Sequence, residues 1–191
     1  MKIEKGRITS DRILSDLDDF AVPFASLIEK HAKYVFVSGY VSIVLGRSRV
    51  SEDVDMLIPE MEEGRWIDIY DDLLKHGYYC MNAGSSEESY SLIKNNTGVR
   101  FAREGQVVPN MEIQFVVKKV QKVALETSIE LVIRGNRIFI SDLELQIAYK
   151  EKVLKSNKDA EDAMHLRKLL GKAINLGKLI EYEELVKDET R

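Results

Sequence analysis

The chain has 191 residues, 45% of them hydrophobic and 31% charged, and a net charge of -4. That suffices for one sizeable core, or a core with a small helical appendage, and it excludes wholesale disorder. The acidic balance offers no global field for long nonspecific duplex binding, and the single Cys80 excludes an internal disulfide and a thiol metal site.

In chain order, the opening MKIEKGRITSDR lacks the apolar run of a secretory signal. No window approaches the roughly 18 to 20 apolar residues of a membrane span. The expectation is a cytoplasmic protein with no membrane partner. Ser10 reads as an N-cap, followed by Leu14, Leu17, Phe20, Phe24, Leu27 and Ile28 at helical spacing. Pro23 lies inside that pattern, so the helix is either kinked there or split in two.

Tyr34 to Val37 is β-branched and aromatic and reads as a buried strand running into Ser38-Gly39. Tyr40 to Leu45 then fits a short helix ended by Gly46, and Val54 to Ile58 a strand stopped by Pro59. Glu62 to His76 carries Trp66, Ile69, Tyr70, Leu73 and Leu74 on one side and predicts a helix capped by Gly77. Strands are expected at Tyr78 to Met81, Ser89 to Lys94 and Val99 to Arg103, the last two joined by NNTG. Met111 to Val117 is a further strand, and Glu130 to Arg134 should pair with Arg137 to Ile140 across Gly135-Asn136. From Ser141, paired with Glu144 as a capping box, the chain turns helical, with further helices around Ala160 to Ile174 and Leu179 to Lys187. The one boundary suggested lies near Ile140. The expected organisation is an N-terminal helical segment over 1–33, a core over 34–140 and a C-terminal helical region over 141–191.

Asp53 and Asp55 flank Val54 at the mouth of an apolar strand. Residues i and i+2 share a face about 7 Å apart along the backbone, so the two carboxylates project together. Two like charges so placed are either a solvated strand end or the holders of a cation. Mg²⁺ is the apt cation, because it takes carboxylate and phosphate oxygens together, and a pair of such ions suits phosphoryl transfer. Upstream, Ser38-Gly39 at a strand-to-helix junction is either an ordinary turn or a place where amides meet phosphate oxygens. His31, His76 and His165 lie far apart without ligand spacing and read as structural.

Ser38-Gly39, Gly46, Arg49, Ser51 and then Asp53 and Asp55 together resemble the signature of the polymerase-β-like nucleotidyltransferase superfamily. The resemblance extends to the branch of minimal, antibiotic-modifying and toxin-antitoxin nucleotidyltransferases. It implies an α/β (α+β) nucleotidyltransferase fold: a small mixed sheet flanked by helices, with a C-terminal helical region closing one side. It implies a third carboxylate on a later strand, which Glu112 in MEIQF fills, and a helical lysine ahead of a Lys-Asp-x-x-Asp pair, filled by Lys150, Lys158, Asp159 and Asp162. Ser38 stands where a first glycine is commoner, and the third carboxylate is Glu rather than Asp.

The implied chemistry is transfer of a nucleoside monophosphate from ATP or another nucleoside triphosphate to an acceptor hydroxyl, releasing pyrophosphate. Asp53, Asp55 and Glu112 would be catalytic and hold Mg²⁺ or Mn²⁺, while Ser38, Gly39, Arg49, Ser51 and Lys150 would bind nucleotide and phosphate. The acceptor is left open among a protein side chain, an RNA 3′ end and a small molecule. The alternative is a noncatalytic, degenerate member of toxin-antitoxin type, binding nucleotide or a partner protein. A homodimer is the other assembly implied. Acidic residues interleave Lys152, Lys155, Lys158, Arg167 and Lys168, so these read as a solvated helix face and Lys150 as the functional cation.

Overall fold

The computed structural model describes residues 1–4 and 6–188, so the last residues of the 141–191 region lie outside the described ones. Its strands are β1 (Lys2–Glu4), β2 (Arg7–Ser10), β3 (Val35–Val37), β4 (Asp53–Pro59), β5 (Tyr78–Cys80), β6 (Val99–Arg103), β7 (Asn110–Val116), β8 (Ile129–Ile133) and β9 (Asn136–Ile140). They form one mixed sheet in the order β1-β2-β8-β9-β3-β4-β7-β6-β5. The helices are α1 (Asp16–Glu29), α2 (Ser38–Val44), α3 (Glu63–Lys75), α4 (Ser86–Lys94), α5 (Lys119–Glu126), α6 (Leu143–Tyr149), α7 (Asn157–Leu170) and α8 (Leu176–Asp188). A π-helical turn over Lys150–Leu154 continues α6. Among the described residues, no helix is long and apolar enough to cross a membrane.

β4 runs parallel to β7 and antiparallel to β3, with Asp55 opposite both Glu112 and Val37. Period-2 alternation then separates the two faces. Phe36, Phe101 and Phe115 point to the face covered by α1, α3 and α4, where Trp66 meets Phe115 edge-on at 5.8 Å and Phe24 lies 6.1 Å from Phe101. Asp55, Leu57, Glu112 and Gln114 point to the other face, towards α5 and α6.

Most elements fall where the residue pattern places them, and the departures have physical causes. The first helix is capped by Ser15, not Ser10: the Asp18 amide donates to Ser15 Oγ at 3.4 Å and the Ser15 amide to Asp18 Oδ2 at 2.7 Å. Ser10 instead closes β2, held by a long-range parallel pairing with Ile133. The 1–33 segment, expected as helical, therefore also supplies strands. α1 passes through Pro23 as one helix. Proline there leaves the Asp19 carbonyl without its i+4 donor, and Arg103 Nη2 supplies one at 2.6 Å.

Ser89 to Lys94 is helical rather than a strand. Ser85 caps α4 by accepting from the Glu88 amide at 3.2 Å, and the buried Ser89 receives the Trp66 indole N–H at 2.8 Å. NNTG is accordingly the exit of a helix, with Asn96 at φ 59, rather than a hairpin turn. The β8–β9 turn is Arg134-Gly135, both at positive φ, because Ile133 pairs with Asn136. At the start of α6 the cap is Asp142, whose Oδ1 accepts from the Glu144 amide at 3.1 Å, while Glu144 accepts from the Asn175 amide. The helix α5 has no counterpart in the sequence expectation.

Candidate functional site

The candidate site lies where β3 ends, β4 begins and β7 runs beside it. Val37, Asp55, Glu112 and Arg100 stand as successive register partners across β3, β4, β7 and β6. Ser38 follows at the junction with α2 in the left-handed region, φ 59, a strained conformation for a residue with a Cβ. Ser38, Asp55 and Glu112 line one cleft of about 220 Å³. Asp53 sits one pleat further out and is exposed, with Ser51 Oγ donating to its Oδ1 at 3.1 Å.

The electrostatics of this corner are unbalanced. Burial, then the charge of Asp53, then that of Glu112, push the Asp55 carboxyl up to about 6, against partial relief from the Ser38 hydroxyl and Lys150. Glu112 is differently placed. Arg100 Nε donates to its Oε2 at 2.8 Å and Gln114 Nε2 to its Oε1 at 2.7 Å. Room for that side chain exists because residue 98 is glycine: a Cβ there would stand 2.5 Å from Glu112 Oε1.

The expected cations gather around a carboxylate of α7. Asp162 is 0% exposed; it receives Arg49 Nη1 at 2.7 Å and Lys150 Nζ at 2.9 Å on Oδ2, and Arg47 Nη1 on Oδ1. Lys150, itself 1% exposed, also lies 3.5 Å from Asp159 Oδ1. Desolvation holds its ammonium below the usual lysine range, opposed by Asp159 and reinforced by Arg49 and Arg47. Arg47 carries no signal in the sequence expectation. The outer lysine and arginine positions behave as a mixed-sign face, with Lys152 paired to Glu183 at 3.2 Å and Arg167 to Glu151 at 2.7 Å.

The space above Gly39, expected to admit phosphates, is taken by the Arg49 guanidinium, 3.1 to 3.2 Å from where a Cβ would stand. Gly39→Ala is therefore expected to dislodge Arg49 from Asp162 and lower stability by about 1 to 3 kcal/mol, as overpacking does. Urea unfolding checks it; an unchanged midpoint would mean the guanidinium yields freely. The histidines take structural contacts, His31 with Asp72 at 3.1 Å and His165 with the Leu45 carbonyl at 3.2 Å.

A divalent cation can be tested against these residues. Among the described residues, no group of three His, Cys, Asp or Glu side chains is gathered ready to hold a metal ion. Yet Asp53 and Asp55 are hard oxygen donors in a region of uncompensated negative charge. Opposite Asp53, the buried Asn110 Oδ1 is a further oxygen with no hydrogen-bond partner. Mg²⁺ or Mn²⁺ fits that donor set by charge and hardness. Glu112 does not complete it while both its oxygens are engaged.

No protein-family model and no curated protein matches the chain. Among solved structures it is similar to an antigenic nucleotidyltransferase-like protein from Paracoccidioides brasiliensis, at 17% identity and TM-score 0.50, over 79% of this chain and 74% of that one. It is also similar to ANT(2'')-Ia in complex with adenylyl-2''-tobramycin, at 14% identity and TM-score 0.54, over 92% of this chain and 97% of that one. The solution structure of the antibiotic-resistance factor ANT(2'')-Ia gives 14% identity and TM-score 0.53, over 89% and 92%. At such identities the likeness speaks for the fold. With its mixed sheet and flanking helices, the chain has the fold of these nucleotidyltransferase structures.

Proposed function

We propose that the protein is a metal-dependent nucleotidyltransferase that moves a nucleoside monophosphate from a nucleoside triphosphate to an acceptor hydroxyl. The observation that carries this reading is the register of Asp55 against Glu112, with Asp53 beside them, in a cleft opening on Ser38. Asp53 and Asp55, with Asn110 Oδ1 nearby, would hold Mg²⁺ or Mn²⁺. When bound, the ion would neutralise triphosphate charge and polarise the phosphoryl oxygens. Ser38 and Ser51 would orient the triphosphate, with the Arg49 guanidinium in the space above Gly39, and the buried Lys150 behind it, supplying positive charge.

Transfer forms a bond from the acceptor oxygen to the α-phosphorus and breaks the bond to the bridging oxygen, with pyrophosphate leaving. The acceptor proton would pass to a Glu112 carboxylate oxygen once Arg100 or Gln114 releases it. Such a site works through positioning and preorganised charge. The acceptor remains a protein, an RNA end or a small molecule; the tobramycin adduct belongs to ANT(2'')-Ia. Labelled nucleoside triphosphates with Mg²⁺, and cell lysate as the acceptor source, test the assignment. Label transfer that requires Asp55 supports it, and its absence with every triphosphate counts against it.

A noncatalytic reading has one observation in its favour, the engagement of both Glu112 oxygens. Glu112→Gln separates the two readings. If Glu112 takes the proton, transfer falls by about 10² to 10⁴ while triphosphate affinity stays within about threefold. Equal losses in turnover and binding would make Glu112 a structural residue.

A further inference from the structure

On the far side of Asp55 and Glu112, the cleft runs inward between the sheet and the helices α5 and α6, walled by Val37, Leu57, Val120, Ala124 and Leu145. Those walls are apolar, yet α6 sends a primary amide into them. Gln146 is 5% exposed and lines this cleft, and among the described residues its side-chain amide has no hydrogen-bond partner. Its helical neighbours Leu145, Ile147 and Ala148 are buried hydrophobics, so packing alone would favour an apolar residue here. Its amide atoms are not among the fully buried, unpaired side-chain atoms, so they open on the cleft, where a ligand or water can meet them.

The other amides at the cleft are committed. Gln114 donates to Glu112 at 2.7 Å, and Gln121 Oε1 accepts from the amides of Val117 and Lys118 at 3.0 and 2.9 Å. Gln146 alone of the three keeps both its donor and its acceptor for something that enters. The whole cleft, carboxylate corner included, is about 220 Å³, short of the roughly 300 to 1,000 Å³ of pockets that swallow a drug-sized molecule. It suits one ring system. Apolar walls fit the faces of a flat aromatic, and a carboxamide pairs with the adjacent donor and acceptor on a nucleobase edge.

We propose that this inner cleft receives the base of the nucleoside triphosphate, and that Gln146 reads its hydrogen-bonding edge. The inference rests on the nucleotidyltransferase reading above, and it places the base inward of the carboxylates with the triphosphate extending out past Ser38. Gln146 is then a specificity residue, which discriminates among bases.

The test compares binding of ATP, GTP, CTP, UTP and tripolyphosphate, each with Mg²⁺, to the wild type and to Gln146→Met, a near-isosteric change. The wild type should prefer at least one triphosphate over the others by about tenfold or more, the value of a good amide–base pair. Gln146→Met should erase that preference and leave tripolyphosphate binding unchanged. Ala124→Leu, which fills the cavity from the opposite wall, should reduce nucleoside triphosphate binding to the level of tripolyphosphate. Discrimination that survives Gln146→Met overturns the role of Gln146. A wild type that binds tripolyphosphate as tightly as every nucleoside triphosphate overturns the base site while leaving the triphosphate site standing. If neither class binds, the nucleotidyltransferase reading fails, and this inference falls with it.

Discussion

Truncating Asp162 to alanine is expected to lower the free energy of unfolding by about 3 to 5 kcal/mol, the usual cost of removing one partner from a buried ionic group. The carboxylate is 0% exposed and is shared by Arg47, Arg49 and Lys150. Without it, Lys150 keeps only the 3.5 Å contact with Asp159, and Arg47 keeps Glu161. Arg49 keeps no carboxylate, and its buried Nε already lacks a partner. Each kcal/mol corresponds to about 2 to 4 °C in a chain of this size, so thermal melts report the loss as readily as urea does. A drop below about 1 kcal/mol would show that water replaces the carboxylate. Because Asp162 is the carboxylate of α7 that holds Arg49, the loss should also slacken Arg49 over Gly39 and weaken triphosphate binding.

The double substitution Asp53→Asn with Asp55→Asn should act in the opposite sense on stability while removing transfer, by at least about 10² to 10³. Burial, Asp53 and Glu112 raise the folded Asp55 carboxyl to about 6, from an ordinary 3.8. Between those values the folded chain binds a proton that the unfolded chain has released, so stability falls as pH rises through the window and is lowest above it. The shift of roughly two units corresponds to at most about 3 kcal/mol of strain at neutral pH. Neutral asparagines relieve it. Melting curves in EDTA should therefore show the variant gaining on the wild type above pH 6 and losing that advantage near pH 4. Retained activity, or a variant that unfolds, would remove the carboxylates from the proposed chemistry.

The strand that bears Asp53 and Asp55 is legible because its apolar run, its terminal proline and its position after Ser38-Gly39 are all local signals. Long amphipathic helices such as Glu63–Lys75 are legible for the same reason. β2 is not, since RITS is a strand only by lying beside β8, over a hundred residues away in sequence. Ser89 to Lys94 reads as a strand because its run around Tyr90 to Ile93 is β-compatible, whereas the Ser85 cap that makes it helical lies in the polar stretch before it. At the site, Arg47 and Arg100 acquire meaning only when α7 and β7 arrive beside them. Gly98 reads as part of a turn in NNTG, whereas its physical role is to leave room for Glu112. Gln146 looks like one polar residue on a helix until its burial is known.

The row Val37, Asp55, Glu112, Arg100 draws on four strands, and β7 enters the sheet between β4 and β6, which precede it in sequence. Asp53 and Asp55 are synthesised well before Glu112, and the lysine of the π-helical turn follows later still. A chain whose growth has stopped short of β7 thus has its two aspartates, without Glu112 beside them or Lys150 behind them. The proposed chemistry therefore waits on the β4–β7 pairing, since non-local pairing is the slow part of building such a sheet. Any partly folded form that leaves β7 unpaired is inert by construction, however much of its secondary structure has formed.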